Sequence, residues 1–181
     1  MFSLCESDGY QPMAQPANDS AIIALLQRGD QQTWRMLAEQ WSGELYNLAW
    51  GAVYQADLAQ NIVNKVWATA IRTIHSVDQR LGLRLWLYTI SCHVILDHWR
   101  DYGHTPQTAS LISELQHLPE AMHLALLLQL RHNESVAMIA EILGRTQRAT
   151  EQLLQQGQQR LKLAGAEEFY GINQAAAAAG D

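Results

Sequence analysis

The residues best suited to chemistry lie between positions 145 and 163, where arginine and glutamine side chains recur. The segment has one acid, Glu151, and four basic residues, Arg145, Arg148, Arg160 and Lys162. Four positive charges minus one negative charge give a net charge of +3. Glutamine can pair with the edge of adenine, and arginine can pair with guanine or with phosphate. These residue types indicate contact with nucleic acid, provided that one element presents them together.

A single helix would present them together, because residues three and four positions apart share a helix face. Projected as a helix, the stretch separates into an apolar side and a polar side. The inward side consists of Ala149, Leu153, Leu154, Gly157 and Leu161, and the outward side consists of Arg148, Glu151, Gln152, Gln155 and Gln159.

The residues just before this helix predict a helix-turn-helix, which packs two short helices at a steep angle. Ala140 is small enough for the crossing, and Gly144 suits a left-handed turn. Thr146 can cap the second helix, whose outward face enters the major groove in such motifs. The alternative is a helical hairpin with a solvated polar face. The predicted DNA-binding residues here are Arg145, Thr146, Arg148, Gln152, Gln155 and Gln159.

A second cluster, formed by Cys92, His93, Asp97 and His98, falls within two turns of another predicted helix. Such residues could hold a metal, but no other ligand pair is spaced to complete a site. The sequence also contains no glycine-rich phosphate loop and no nucleophile elbow. We therefore predict no catalytic residue, no metal and no cofactor, and a helical metal-dependent enzyme is kept only as a third hypothesis.

Composition restricts where DNA could be bound. Hydrophobic residues make up 48% of the 181 positions, and the formal net charge is -6. A dedicated nucleic-acid binder is usually basic, so any DNA contact must lie on a local patch. Two cysteines without metal-ligand spacing fit a reducing compartment. No signal-peptide pattern and no membrane-length apolar run occur, which predicts a cytoplasmic protein without membrane insertion.

Apolar residues recur at three- and four-residue steps along most of the chain, which predicts an all-α protein. We expect two small helical domains, a helical bundle followed by a four-helix domain that contains the helix-turn-helix, joined by a short linker. The predicted parts are a flexible leader at 1–19, the first domain at 20–102, the linker at 103–110, the second domain at 111–164 and a tail at 165–181.

Three short motifs occur in a characteristic order along residues 20–164. Residues 28–30 are Arg-Gly-Asp, residues 84–100 contain Trp-Leu-Tyr-x-Ile followed by Asp-His-x-Arg, and a Leu-Pro pair stands at 118–119. In order and spacing the chain resembles the extracytoplasmic-function class of bacterial sigma factors. The matching positions in the 84–100 stretch are Trp86, Leu87, Tyr88, Ile90, Asp97, His98 and Arg100.

The resemblance implies a protein without catalysis of its own, which binds core RNA polymerase and directs it to promoter DNA. Three surfaces follow: a polymerase-binding helix at 57–74, a helix at 84–100 that engages melted DNA, and a reader of the distal promoter element at 146–163. An anti-sigma factor is a further implied partner. The implied residues are Asn61, Asn64, Lys65 and Arg72 for polymerase, and Trp86, His93, Trp99 and Arg100 for DNA, where exposed rings would stack on unpaired bases.

One departure from the family's usual pattern supports a second hypothesis. The polymerase-facing helix of the family usually carries several acids, whereas residues 58–65 contain none and end in Lys65. This change removes charge-assisted contacts to a basic partner. The resemblance thus implies an alternative sigma factor, and the missing acids support the alternative, a sigma-like decoy that binds an anti-sigma factor without productive promoter recognition.

Overall fold

The computed structural model describes residues 16–77, 82–102 and 118–164. Within these ranges the chain forms seven α-helices and no strand, which confirms the all-α prediction. A short 3-10 turn, Ile74–Ser76, follows the third helix. The helices are α1 Pro16–Gln27, α2 Gln31–Val53, α3 Ala56–Thr73, α4 Leu83–Tyr102, α5 Glu120–Leu130, α6 Val136–Ile142 and α7 Gln147–Ala164.

Helices α1 to α4 build the first domain, in which α2 packs on α3 and α3 packs on α4. Local signals set the helix ends. Gly29 adopts a φ of 78° between α1 and α2, and Asp30 then caps α2 by accepting a hydrogen bond from Thr33 N at 2.8 Å. The hydrogen bonds from the Thr33 hydroxyl and amide lower the pKa of Asp30. Capping of this kind satisfies backbone donors that the first helical turn leaves unpaired.

Helix α1 begins at Pro16, so it includes residues 16–19 of the leader predicted at 1–19. Asp19 lies in the first turn of α1, is only 4% exposed and makes a long-range contact. Its carboxylate accepts a hydrogen bond at 2.9 Å from Leu83 N, the first amide of α4. Asp19 thus caps a helix that lies 64 positions further along the chain.

We expect Asp19→Ala to lower the free energy of unfolding by about 1 to 2 kcal/mol, because α4 loses a cap and a buried amide loses its acceptor. Urea denaturation measures this change. Asp57→Ala is the matched control, since Asp57 is an exposed aspartate in the first turn of α3. Equal destabilisation by the two substitutions would contradict the capping role of Asp19.

Helices α5 to α7 are the described part of the second domain. Buried side chains occur all around α5, including Leu124, Leu126 and Leu128. Helix α7 crosses it closely at Gly157, where an added Cβ would lie 2.8 Å from Leu126 Cδ1. The predicted linker, the tail and the fourth helix of this domain fall outside the described residues.

The two domains pack directly against each other, and their buried apolar side chains form one continuous cluster. Helix α5 packs on α2 and α4, and α6 packs on α4. Helices α2 and α5 approach closely at Gly51, where an added Cβ would lie 3.0 Å from both Leu127 Cδ2 and Arg131 Nη1. The Arg131 guanidinium also lies over the Trp50 ring, 5.4 Å from its centroid. The described residues therefore form one docked body.

Candidate nucleic-acid interface

Helices α6 and α7 form the helix-turn-helix that the sequence predicts. Ser135 caps α6 by accepting from Met138 N at 3.2 Å. Gly144 follows α6 with a φ of 61°, in the left-handed region that favours glycine. Thr146 Oγ1 then accepts from Ala149 N at 3.2 Å and so caps α7. Ala140 is buried where α6 meets its neighbours, as its predicted place at the crossing requires.

The outer face of α7 is open to solvent. Its inner face buries Leu154, Gly157 and Leu161, and the Gln158 side chain on its flank donates to Gln129 of α5 at 3.0 Å. The structure thus exposes a row of arginine and amide groups on one rigid helix. The predicted contact residues Arg145, Thr146, Arg148, Gln152, Gln155 and Gln159 are all exposed.

Helix α4, the predicted helix for melted DNA, differs from expectation at its two tryptophans. His93 and Arg100 are exposed, and Arg100 pairs with Asp97 at 2.8 Å. Trp86 and Trp99 are 7% and 3% exposed, so neither offers a free ring face for base stacking in this arrangement. The reason is that α3, α2, α5 and α6 all pack on α4, which leaves little of it for solvent.

Residues of the second predicted cluster do not converge. Cys92 is buried, and burial raises the pKa of its thiol to about 12. His93 and Asp97 instead face solvent. Among the residues that the structure describes, no group of three or more His, Cys, Asp or Glu side chains could hold a metal ion.

The outer face of α3 exposes all four predicted polymerase contacts, Asn61, Asn64, Lys65 and Arg72. A groove of about 500 Å³ runs beside them toward the end of α4, where His98 and Tyr102 line it. Burial and the nearby Lys65 charge lower the pKa of His98. The surface therefore offers amides and cations around an apolar groove, with no acid among the residues that line it.

Sequence reasoning missed a polar cluster between the two domains, which we call the clasp. Arg84 Nε donates to Glu134 Oε1 at 2.5 Å. The Tyr88 hydroxyl donates to Glu44 Oε2 at 3.1 Å and lies 3.0 Å from His132 Nδ1. Because Tyr88 has one hydroxyl proton, the second contact requires Nδ1–H of His132 as donor. The clasp consists of Glu44, Arg84 and Tyr88 of the first domain and His132 and Glu134 of the second.

Burial and neighbouring charges shift the pKa values of three clasp residues. Burial alone would lower the pKa of Arg84, but the hydrogen bond to Glu134 and the charges of Glu134 and Glu44 outweigh it and raise the pKa. Burial and the Glu44 charge raise the pKa of Tyr88. Burial, Arg131 and Arg84 lower the pKa of His132 to about 4. Tyr88 matched the family motif, but no local signal reveals partners 44 to 50 positions away.

Comparison with known proteins agrees with this architecture. Residues 37–105 match the family model described as sigma-70 region 2. No curated protein sequence matches the chain significantly.

Two solved structures share the fold. CnrH in complex with the cytosolic domain of CnrY superposes with a TM-score of 0.68 at 18% identity, covering 80% of this chain and 95% of that chain. The sigma factor RpoE in complex with the anti-sigma factor NepR from Bartonella quintana gives a TM-score of 0.60 at 16% identity, covering 72% and 94%.

This partial family match and the shared fold agree with the resemblance to extracytoplasmic-function sigma factors that the sequence motifs indicate. In the described ranges, no helix is long and apolar enough to cross a membrane.

Proposed function

We propose that the chain binds core RNA polymerase through the outer face of α3 and reads promoter DNA through the outer face of α7. The observation that carries this proposal is the exposed row of Arg148, Gln152 and Gln155 on the second helix of a helix-turn-helix. In this motif the exposed face of the second helix enters the major groove, where arginine and glutamine distinguish bases. The site of action would be the cytoplasm.

The remaining contacts divide between the two other surfaces. Asn61, Asn64, Lys65 and Arg72 would contact polymerase from α3, whose side chains at these positions are free of the core. His93 and Arg100, exposed on α4, would contact DNA at the melted region. None of these steps requires a covalent change in the protein, because binding energy alone places the polymerase on the promoter.

Binding to DNA by the chain alone should be weak. The four cations Arg145, Arg148, Arg160 and Lys162 carry the local charge, and Glu151 lies among them on α7. Phosphate neutralisation dominates the affinity of such proteins, and polymerase would supply the missing contacts once both are assembled on one DNA.

We expect the logarithm of the DNA association constant to fall with the logarithm of salt concentration at a slope no steeper than about -4, since at most four cations meet phosphates. Fluorescence anisotropy with a duplex probe measures this slope. Glu151→Lys should steepen the slope by about 1, because one further cation reaches the backbone. A steeper slope in the unmodified chain would show that another basic surface binds DNA.

Reconstituted transcription tests the proposal. Core polymerase plus the chain should produce transcripts from promoters selected by genomic binding, and an affinity pull-down should recover the core subunits. Absence of transcripts from every selected promoter would overturn the promoter-reading role.

The acid-free stretch 58–65 of α3 favours a second candidate function, a decoy that binds an anti-sigma factor. Glu and Asp are absent from residues 58–65, and Lys65 is exposed there. One of the solved structures with this fold is a sigma factor bound to an anti-sigma factor. A pull-down separates the two functions, because a decoy would recover a small regulator and no polymerase subunit.

A further inference from the structure

We propose that the groove between α3 and the end of α4 binds a small carboxylic acid with an apolar body, and that this ligand competes with polymerase for α3. The competition, unlike the binding itself, rests on the proposed function, which assigns the outer face of α3 to polymerase. Two observations carry the proposal. The groove is largely apolar with Lys65 as its cation, and the buried His98 Nε2 beside it has no hydrogen-bond partner among the described residues.

The groove has the size and the lining of a small-molecule site. Its volume of about 500 Å³ lies within the range of about 300 to 1,000 Å³ that such pockets occupy. Leu58 and Ile62 of α3 and the Tyr102 ring of α4 supply apolar surface, and the amides of Asn61 and Asn64 add polar groups. An apolar body placed here would leave water together with this surface, which stabilises the bound state.

His98 gives the groove an unused hydrogen-bonding group. The residue is only 8% exposed, and a buried polar group without a partner is costly. Its lowered pKa keeps the ring neutral at pH 7, and with the proton on Nε2 it would donate to a carboxylate oxygen. The Tyr102 ring, whose centroid lies 5.2 Å from that of His98, is 71% exposed. Exposed side chains change rotamer readily, so Tyr102 can turn aside and open the path to Nε2.

The charges around the groove favour a single negative charge on the ligand. Among the described residues, Lys65 is the only Lys, Arg, Asp or Glu that lines it. The Lys65 charge is close enough to His98 to lower its pKa, so one carboxylate would meet both groups. A second cavity of about 470 Å³ continues past these two residues, and Asp97 and Asp101 line it beside Arg72. These carboxylates would repel further negative charge, which disfavours nucleotides and other polyanions.

A ligand in the groove would occupy part of the proposed polymerase surface. Asn61, Asn64 and Lys65, three of the four predicted polymerase contacts, line the groove. A carboxylate paired with Lys65 removes this cation from polymerase, and two occupants cannot fill the same space. Ligand and polymerase would therefore each lower the affinity of the chain for the other.

Calorimetric titration of the full chain with octanoate tests the binding. Octanoate should bind at one site with a Kd of about 1 mM or lower, the affinity expected of a small ligand with few contacting atoms. Octylammonium, which carries the opposite charge on a chain of the same length, should bind about tenfold more weakly or not at all.

Two variants remove the proposed contacts to the carboxylate and keep the shape of the groove. Lys65→Met should weaken octanoate binding about three- to fivefold, because an exposed ion pair is lost. His98→Phe keeps the ring and should weaken binding about fivefold, because a hydrogen bond is lost. Arg35→Met is the matched control, since it removes an exposed cation of α2 outside the groove and should leave the Kd unchanged. Thermal unfolding checks that each variant is folded.

Capture of core polymerase at increasing octanoate concentration tests the competition. Octanoate should lower capture by the unmodified chain with half-inhibition near its Kd, and His98→Phe should need about fivefold more. No heat of binding up to about 10 mM octanoate, equal Kd values for Lys65→Met and Arg35→Met, or equal binding of octylammonium would overturn the ligand site. Octanoate binding that leaves capture unchanged would overturn the competition. Failure to capture polymerase without octanoate would instead overturn the proposed function and leave the calorimetric result standing.

Discussion

Replacing Arg148, Gln152 and Gln155 together with alanine is expected to lower promoter-specific transcription at least about 100-fold, because each base contact contributes roughly 1 to 3 kcal/mol of discrimination. All three side chains are exposed on one face of α7, whereas Leu154 and Leu161 on the opposite face are buried. The substitutions therefore remove the base-reading groups without disturbing the packing of the helix. Alanine is also the best helix former, so α7 should persist.

Transcription with core polymerase measures this effect, and polymerase capture by the same variant should stay unchanged. The matched control replaces Gln31, Gln32 and Arg35 with alanine. These residues repeat the same chemical types, two glutamines and one arginine, at exposed positions of α2. Equal transcription by the two triple variants would contradict the assignment of α7 as the DNA reader.

The helix-turn-helix could be predicted because its signals are local. Ser135, Gly144 and Thr146 each act on residues within a few positions, through a cap, a left-handed turn and a second cap. The polarity of α7 follows from helix geometry alone, since its inward and outward positions recur with the helical period. Local sequence therefore determines both the motif and the face that it exposes.

Long-range contacts could not be predicted in the same way. Asp19 caps α4 from 64 positions away, and Arg84 pairs with Glu134 across 50 positions. At the level of the sequence these are an ordinary aspartate in a polar leader and two ordinary charged residues. The burial of Trp99 has the same origin, because its partner His123 belongs to the other domain.

One feature of the sequence, the apolar stretch at 121–130, relates to the packing of the two domains. Positions 121–130 are apolar or histidine at all but one place, Gln129, so the helix has no polar face of the usual width. A helix that is hydrophobic all round is buried all round. Helix α5 meets this expectation by packing on α2 and α4 of the first domain as well as on α7 of its own. The sequence shows this apolar pattern, but it does not show which helices pack on α5.

The clasp should make the stability of the chain depend on pH through His132. Its pKa is lowered from 6.5 to about 4 by burial and by the charges of Arg131 and Arg84. A second proton would enter at Nε2, which is buried and has no hydrogen-bond partner among the described residues. Protonation would thus place a buried cation beside the positive charges of Arg84 and Arg131.

The sign of the effect follows from linkage. Since the folded-state pKa lies below the unfolded-state pKa, the unfolded chain binds the proton more readily, and stability falls as pH falls. The stabilisation is fully present above about pH 6.5 and is lost between 6.5 and about 4. The difference between these pKa values corresponds to about 3 kcal/mol of unfolding free energy.

His132→Gln removes the titrating group and keeps an amide that can donate to the Tyr88 hydroxyl. Urea denaturation at several pH values between 7 and about 4 should show a shallower loss of stability in this variant than in the unmodified chain. Carboxylates and the other histidines titrate in both proteins, so the difference between the two curves isolates His132. His75→Gln, at an exposed position outside the clasp, controls for the loss of one histidine. Parallel curves for the unmodified chain and His132→Gln would show that the docked domains do not hold His132 neutral, and the packing that surrounds it would have to be looser than the closed clasp requires.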